Sequence, residues 1–292
     1  EAASQGGLLV VHDGISTPTS RQNEAVLPRL IATDLDGTLL HPSGQLTART
    51  AAALQAVAAA GVVVVFATGR PPFVAAAEVQ AAGSGVHFGV MANGTIVCSL
   101  PDGEVMRSVS FGADLARAAV RRMREVDPAY GFALATDRGF GAEDGFFERM
   151  PVHAGGSTVA DVLAGQDDAV EAIKLFAFHP EHTAHDLLQV LPTVLGPELT
   201  VSHMGADAVE IAPAGADKGL GLRWLCEHLG IDASEVLVFG DEVNDLPMFR
   251  WAGRRVAVGN AHPAVRDAAD EVTGSNAEDG VATYLEALLA AG

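Results

Sequence analysis

The sequence has very little positive charge. Lysine occurs only twice, at Lys174 and Lys218, and the 292 residues carry a formal net charge of -19. Proteins that bind nucleic acids or anionic membranes need basic surfaces, because they must neutralise phosphate groups. The composition therefore argues against both classes of partner, and it makes the position of each lysine informative.

The chain also lacks the marks of secreted and membrane proteins. Cys98 and Cys226 are far apart and form no CxxC pair, which is typical of reduced cytoplasmic thiols, although two cysteines are also compatible with one disulfide. No apolar run reaches the roughly 20 residues of a membrane-spanning helix. Residues 1–28 lack the basic start and long apolar stretch of a signal peptide, so we expect a flexible N-terminal extension. We therefore predict a cytoplasmic protein, and the oligomeric state stays open.

Several short apolar runs alternate with helical segments. Hydrophobic residues make up 49% of the chain and charged residues 19%, which is typical of a folded globular protein. Short, mostly apolar runs that predict strands occur at residues 30–33, 62–66, 88–92 and 235–239, and the unbroken run at 62–66 is typical of a strand buried on both faces. Strands that alternate with helices in this way predict right-handed crossovers and a parallel sheet. The predicted fold class is therefore α/β with a Rossmann-like core.

The middle of the chain has a different pattern. Residues 96–106 predict a hairpin around a Pro-Asp-Gly turn, and residues 113–126 predict a helix. Further strands are predicted near residues 132–135, 146–148 and 172–178, followed by a helix at 181–195 and a hairpin at 199–211. We therefore expect residues 97–207 to form an inserted α+β domain, and residues 29–96 and 208–292 to form the core.

Two carboxylates follow the first apolar run. Asp34 and Asp36 are two residues apart, and Gly37 after them permits a sharp turn. Open α/β sheets place their ligands at the carboxyl ends of the strands. Two negative charges held this close need a cation, a shared proton or a substrate that uses them. An acidic turn without a function would give the same short string.

Other predicted strand and helix ends carry polar groups too. Thr68 ends the second run, where its hydroxyl can donate to a phosphate oxygen or cap the next helix. Lys218 lies in the first turn of a predicted helix, where a cation opposes the helix dipole. That position suits a phosphate-holding lysine, although a solvated lysine is the simpler alternative. The fourth run ends in Asp241, Asn244 and Asp245, and the combination is more specific than any one member.

These residues carry a resemblance to a known family. The chain resembles the haloacid dehalogenase (HAD) superfamily, specifically the Cof-type phosphatases with a C2-type cap domain. Its four motifs are matched by Asp34-Leu35-Asp36-Gly37-Thr38, by Thr68-Gly69-Arg70, by Lys218, and by Gly240-Asp241-Glu242-Val243-Asn244-Asp245. Further Cof-type signatures are matched at residues 91–94 and 276–282. The resemblance covers residues 29–292, and the insertion itself offers few residues to match.

The resemblance implies a chemistry for the two leading carboxylates. Asp34 would be the nucleophile that attacks phosphorus to form an aspartyl-phosphate. Asp36 would be the general acid and base. Family members that cleave carbon–halogen bonds lack this second aspartate, so its presence favours phosphoryl transfer.

The resemblance also implies a Mg²⁺ site and a phosphate site. The metal would be held by the carboxylates of Asp34 and Asp241 and by the backbone carbonyl of Asp36, with Asp245 in support. The phosphate would be bound by Thr68, Gly69, Lys218 and Asn244. The insertion would be the cap that closes over the substrate. Candidates for contacting the leaving group are Arg70, Asn93, Arg138 and Glu148.

The expected function is a Mg²⁺-dependent phosphatase acting on a small phosphorylated metabolite, either a sugar phosphate or a phosphorylated cofactor. A phosphomutase or phosphotransferase on the same scaffold is one alternative, and a non-catalytic protein that binds phosphorylated metabolites is another. A dinucleotide-binding domain is disfavoured, because no GxGxxG string follows a predicted strand.

Overall fold

The computed structural model describes residues 27–72, 74–100, 102–136, 139–146, 157–158, 162, 171–206 and 208–291. The expected extension up to residue 26 lies outside these residues, and so do the candidates Arg138 and Glu148. No helix in the described part of the chain is long and apolar enough to cross a membrane.

The helices and strands follow one another in three stretches of chain. The first contains β1 (Leu30–Thr33), α1 (Ala48–Ala59), β2 (Val63–Ala67), α2 (Ala76–Ala82), β3 (Phe88–Met91), β4 (Ile96–Ser99) and β5 (Val105–Ser108). The second contains β6 (Phe111–Gly112), α3 (Ala113–Val126), β7 (Gly131–Thr136), β8 (Gly139–Ala142), β9 (Ser157–Thr158), β10 (Glu171–Phe178), α4 (Ala184–Leu195), β11 (Leu199–Ala206) and β12 (Ala208–Pro213). The third contains α5 (Lys218–Leu229), β13 (Val236–Gly240), α6 (Leu246–Trp251), β14 (Arg254–Ala257), α7 (Pro263–Ala268), β15 (Glu271–Val272) and α8 (Gly280–Ala291).

The first and third stretches form one eight-stranded sheet, the core sheet, in the order β15-β14-β13-β1-β2-β3-β4-β5. Its central strands are parallel, and Leu30 on β1 pairs with Val236 on β13 and with Val63 on β2. Every residue of β1 is buried, which explains its unbroken apolar sequence: helices cover both faces of a parallel sheet. The predicted α/β core with a parallel sheet is confirmed.

The strand pairing differs from the expected domain division at both junctions. β4 and β5 were expected in the insertion, but they pair antiparallel with β3 and extend the core sheet. β12 was expected in the core, but it pairs with β10 and β11 in the second sheet. The reason is the length of the connections, since a hairpin with a short turn keeps both strands in the same sheet. The chain therefore passes from the core sheet to the second sheet after β5 and returns to the core sheet after β12.

The second sheet and its helices form a separate layer, which we call the cap after the insertion that the sequence predicts. Its order is β11-β12-β10-β7-β8-β9, with β6 pairing on β10. Helices α3 and α4 pack on one face, where they bury a cluster that includes Leu175 and Ala177 of β10. Strand alternation places Lys174, Phe176 and Phe178 on the opposite face, and both phenylalanines belong to a separate cluster there.

Candidate active site

A buried lysine connects two buried carboxylates at the carboxyl edge of the core sheet. Lys218 is the first residue of α5, and its Nζ donates to Oδ1 of Asp34 and to Oδ1 of Asp245, both at 2.6 Å. Only 1% of the lysine side chain is exposed. Helix α5 begins at this residue because the side chain of Asp217 accepts a hydrogen bond from the amide of Leu220 at 2.7 Å.

The turn after β13 is held by Asp245 and carries one more carboxylate, that of Asp241. Asp245 is fully buried, and its Oδ2 accepts hydrogen bonds from the amides of Asp241 at 2.9 Å and Glu242 at 3.1 Å. A Cβ atom at Gly240 would overlap the Asp245 side chain, so glycine is needed for the turn to fold over this carboxylate. Asp245 thereby organises its own turn while it orients Lys218.

The loop after β1 closes tightly on Asp241. The Thr38 hydroxyl donates to Asp241 Oδ1 at 2.6 Å. Gly37 has a φ of +80°, and a Cβ there would overlap the Asp241 carboxylate. The glycine in the Asp34-to-Thr38 string is therefore required twice, once by its backbone conformation and once by the close approach of Asp241.

The site concentrates the negative charge of three buried carboxylates. One carboxylate oxygen each from Asp34, Asp241 and Asp245 lies within 4.8 Å of the others. Burial raises the pKa of Asp34 well above its ordinary value, and the charge of Lys218 opposes this. Burial also raises the pKa of Asp241 to about 6, against the hydrogen bond from Thr38. A cluster of hard oxygen donors with excess negative charge fits a hard divalent cation.

Lys218 remains a cation in this setting. Burial by itself lowers the pKa of its ammonium group, but the charges of Asp245 and Asp34 outweigh burial and raise that pKa. A permanently charged donor beside Asp34 is suited to bind an oxygen of a phosphoryl group.

Asp36 lies apart from this cluster. Its carboxylate is 58% exposed and is held by Arg70, whose Nε donates to Oδ2 at 2.8 Å and whose Nη2 donates to Oδ1 at 2.5 Å. Arg70 is held in turn by Glu78, which accepts from Nη1 at 2.9 Å. The sequence placed Arg70 among the residues that contact the leaving group, and the structure gives it the carboxylate of Asp36 as partner.

Thr68 is buried at the end of β2. Its Oγ1 accepts a hydrogen bond from the amide of Arg70 at 3.1 Å, which stabilises the local turn. The alternative of capping the next helix is wrong, because α2 begins at Ala76 and its N-cap is Ala75. An accepting hydroxyl still has its own proton to donate, so a role in binding phosphate stays a prediction.

Comparison with known proteins establishes the family. The family profile described as haloacid dehalogenase-like hydrolase matches residues 31–285, which run from β1 into α8. The chain belongs to this family. An HMP-PP phosphatase of Escherichia fergusonii is 30% identical to it over 244 residues, covering 82% of this chain and 87% of the relative. An HMP-PP phosphatase of Yersinia pestis is 27% identical over 260 residues, covering 88% and 94%.

A solved structure agrees with this assignment. A haloacid dehalogenase-like hydrolase from Bacteroides thetaiotaomicron superposes with a TM-score of 0.79 at 26% identity, covering 89% of this chain and 99% of that one. The resemblance drawn from the sequence is confirmed, and with it the conclusion that the chain is a hydrolase. Its relatives named as phosphatases support a phosphatase activity.

The remaining site candidates of this haloacid dehalogenase-like hydrolase lie at the junction with the cap. Asn244 is exposed, and its Nδ2 donates to Oδ1 of Asn93 at 3.3 Å. Asn93 Nδ2 donates to Oε1 of Glu210 on β12 at 2.8 Å. The carbonyl of Gly69 accepts a hydrogen bond from Lys174 on β10 at 3.0 Å. Sequence reasoning missed Lys174 and Glu210, and the only signal for Lys174 was the scarcity of lysine.

Two asparagines that were not assigned a role hold the loop after β1. Asn260 Nδ2 donates to the carbonyl of Gly37 at 2.7 Å, and its Oδ1 accepts from the amide of Asn276 at 2.9 Å. Asn276 Nδ2 donates to the buried carbonyl of Leu40 at 2.8 Å. The loop that carries Asp34 and Asp36 is therefore fixed at two carbonyls by residues more than 200 positions away.

Proposed function

We propose that the protein is a Mg²⁺-dependent phosphatase that hydrolyses a small phosphorylated metabolite through an aspartyl-phosphate. The observation that carries the proposal is the contact of Lys218 with Asp34 and Asp245 beside Asp241. The contact supports the proposal because it joins a candidate nucleophile, a cation suited to a phosphoryl oxygen and a cluster of oxygens suited to a metal at one sheet edge.

In the first half-reaction an oxygen of Asp34 attacks phosphorus, and the bond from phosphorus to the leaving oxygen breaks. Asp36, protonated at this stage, gives its proton to the leaving oxygen, so that an alcohol departs. Carboxylates are weak nucleophiles, so positioning and charge neutralisation must supply much of the rate enhancement. Lys218 binds a phosphoryl oxygen next to Asp34. The other phosphoryl oxygens are bound by the Thr68 hydroxyl, the Gly69 amide and the Asn244 side chain.

In the second half-reaction water attacks phosphorus, and the bond between phosphorus and the Asp34 oxygen breaks. Asp36, now ionised, takes the proton from the attacking water. Inorganic phosphate leaves, Asp34 returns to a carboxylate, and Asp36 returns to its protonated form. The net reaction consumes one water and one phosphate ester and needs no other reactant.

The metal would be held by the carboxylates of Asp34 and Asp241 and by the backbone carbonyl of Asp36. Mg²⁺ supplies neutralisation of the phosphoryl charge when it is bound. Asp245 holds the turn that carries Asp241, and Thr38 orients the Asp241 carboxylate. These two contacts limit the motion of the donor set before any cation binds.

The substrate class is a small phosphorylated metabolite, either a sugar phosphate or a phosphorylated cofactor. Relatives named HMP-PP phosphatase support the second class, and the acidic chain is unsuited to nucleic acid. The cap covers the substrate and contacts its leaving group. Two free, buried cysteines support a cytoplasmic location.

The test is phosphate release from a panel of sugar phosphates and phosphorylated cofactors, HMP-PP included, with and without Mg²⁺. We expect Mg²⁺-dependent turnover that is abolished in Asp34→Asn and retained in Asp102→Asn, a matched change at an exposed turn. Acid quenching with a phosphate-labelled substrate should trap label on the wild type and not on Asp34→Asn.

Other outcomes separate the alternatives. Transfer of label to an added sugar, in place of free phosphate, would establish a phosphotransferase or mutase. Binding of panel compounds without any turnover in Mg²⁺ would establish a non-catalytic binding protein.

A further inference from the structure

The second of the two lysines is buried between the cap and the core. Lys174 lies on β10, and its side chain is 1% exposed. Its Nζ forms an ion pair with Glu210 on β12 and donates a hydrogen bond to the carbonyl of Gly69 at 3.0 Å. Nothing in the proposed phosphatase mechanism uses this lysine. It lies more than 40 residues along the chain from Lys218 and belongs to the other sheet.

The ion pair lies on the face of the cap sheet that α3 and α4 leave free. β10 and β12 are antiparallel with Phe176 opposite Glu210, so Lys174 and Glu210 are diagonal neighbours on the same face. The same face carries the buried aromatic side chains of Phe176 and Phe178. Two buried charges in such surroundings cost desolvation energy that hydrophobic residues of similar size would not. Stability alone therefore does not account for the pair.

The pair makes specific contacts with the core. Oε1 of Glu210 accepts from Asn93 Nδ2 at 2.8 Å, and Asn93 Oδ1 accepts from Asn244 Nδ2 at 3.3 Å. Together with Gly69, these contacts reach three loops of the core, those that follow β2, β3 and β13. The Gly69 loop begins at Thr68, and the Asn244 loop contains Asp241 and Asp245. One ion pair of the cap is thus connected to the loops that bear the candidate phosphate and metal groups.

The loop after β3 is held in an unfavourable conformation. Ala92 and Asn93 have φ values of +51° and +56°. These lie in the left-handed region, which residues other than glycine rarely adopt. Such backbones persist when their surroundings hold them. Asn93 is held here by Glu210 and Asn244 through its side chain and by the carbonyl of Thr68 through its amide, at 3.0 Å.

We propose that the Lys174–Glu210 ion pair is the contact by which the cap positions the loops after β2, β3 and β13 for phosphoryl transfer. Lys174 is then a positioning residue that acts through the Gly69 carbonyl and through Glu210, and it does not touch the reacting atoms. This inference rests on the proposed phosphatase function. It adds a requirement for cap contact to a site whose reacting groups all belong to the core.

The test separates positioning from stability by comparing single and double variants. Lys174→Met and Glu210→Gln each leave one buried charge without its partner, and both should lower the melting temperature. The double variant removes both charges and should recover most of the melting temperature. It should not recover kcat, because a methionine side chain cannot donate a hydrogen bond to the Gly69 carbonyl. We expect its kcat to stay about tenfold or more below the wild type, since small displacements of catalytic groups have effects of this size, with KM changed much less.

Glu286→Gln is the matched control. It removes an exposed ion pair with Arg49 on the core surface, and it should leave both melting temperature and kcat close to those of the wild type. A double variant with wild-type kcat would overturn the inference. A kcat that follows the melting temperature through all the variants would also overturn it, since that pattern indicates a structural role.

Hydrogen exchange gives a readout that does not depend on activity. Amides of residues 69–70 and 93–94 should exchange several-fold faster in the double variant than in the wild type, while those of the control stay unchanged. If the wild type itself releases no phosphate, the proposed function fails, and exchange at these two loops still decides whether the cap holds them. Unchanged exchange in the double variant would reject the positioning role.

Discussion

Arg70 holds both oxygens of the Asp36 carboxylate in a forked contact, with distances of 2.8 and 2.5 Å. Such a forked contact fixes the orientation of the carboxyl group. In the proposed mechanism this group gives a proton in the first half-reaction and takes one from water in the second. The contact with Arg70 therefore orients the one carboxyl group that both half-reactions use.

Arg70→Gln should lower kcat. Without the guanidinium the Asp36 carboxyl group is less well oriented for proton transfer, so kcat should fall about tenfold or more, with KM changed much less. The measurement is steady-state kinetics of both proteins. Arg49→Gln removes an exposed arginine with a similar carboxylate partner and should leave kcat unchanged. A wild-type kcat in Arg70→Gln would show that Arg70 does not position Asp36.

Mg²⁺ should raise the melting temperature, because it relieves the repulsion among Asp34, Asp241 and Asp245. A free concentration one hundred times the dissociation constant stabilises by about 2.7 kcal/mol. Asp241→Asn should abolish most of this response while raising the melting temperature of the metal-free protein, since it removes one buried negative charge. Asp102→Asn is the control and should keep the full response. If Asp241→Asn responds to Mg²⁺ as the wild type does, Asp241 is not a ligand.

The metal-free protein should lose stability as the pH rises from about 4 to about 6. Burial raises the pKa of Asp241 from 3.8 to about 6, so the folded state binds more protons than the unfolded state in this window. Stability therefore falls with rising pH, by up to about 3 kcal/mol for a shift of this size. Urea unfolding at pH 4 and pH 7 measures the change, with Asp241→Asn as the reference for all other groups. Equal pH dependence in both proteins would contradict the assignment.

Asn276→Ala should slow catalysis although the residue touches no reacting group. The substitution leaves the buried carbonyl of Leu40 without its donor, at a cost of about 1 to 3 kcal/mol. The Leu40 carbonyl ends the loop that carries Asp34 and Asp36, so this loop loses one of its two fixed points, while the backbone amide of residue 276 still donates to Asn260. We expect a lower kcat together with the lower stability, measured by steady-state kinetics and urea unfolding.

Ser275→Ala provides a control for the Asn276 prediction with a comparable loss of stability. Its hydroxyl donates to the exposed Glu278 at 2.7 Å within a local helix cap. The cap substitution should cost about 1 kcal/mol and leave kcat unchanged. If both variants lose kcat in proportion to stability, the hydrogen bond from Asn276 to the Leu40 carbonyl has no catalytic effect separate from stability.

The sequence predicted the local elements well where the signals are local. Helix α3 was expected at residues 113–126, and the structure has it at Ala113–Val126. A strand was expected at residues 30–33, and the structure has β1 at Leu30–Thr33. The juxtaposition of Asp34, Asp241 and Asp245 with Lys218 was also predictable, because the carboxyl ends of parallel strands meet at one edge.

The domain junctions were less predictable for a physical reason. The pattern of residues 96–106 indicates a hairpin, but a hairpin with one exposed edge can extend either sheet. β4 pairs with β3, so this hairpin extends the core sheet. β12 pairs with β10, so it belongs to the second sheet. These choices depend on which free edge lies within reach of the short connections, and sequence periodicity does not contain that information.

By itself, the sequence determined which residues end the strands and which chemistry those ends can perform, because burial and turn signals act over a few residues. Only the tertiary structure decided that Arg70 binds Asp36 and that Lys174 joins the cap to Gly69. Those partners are 34 and 105 residues apart. Their contact depends on how two sheets and their loops pack together, and a buried charge takes whichever partner that packing brings within hydrogen-bonding distance.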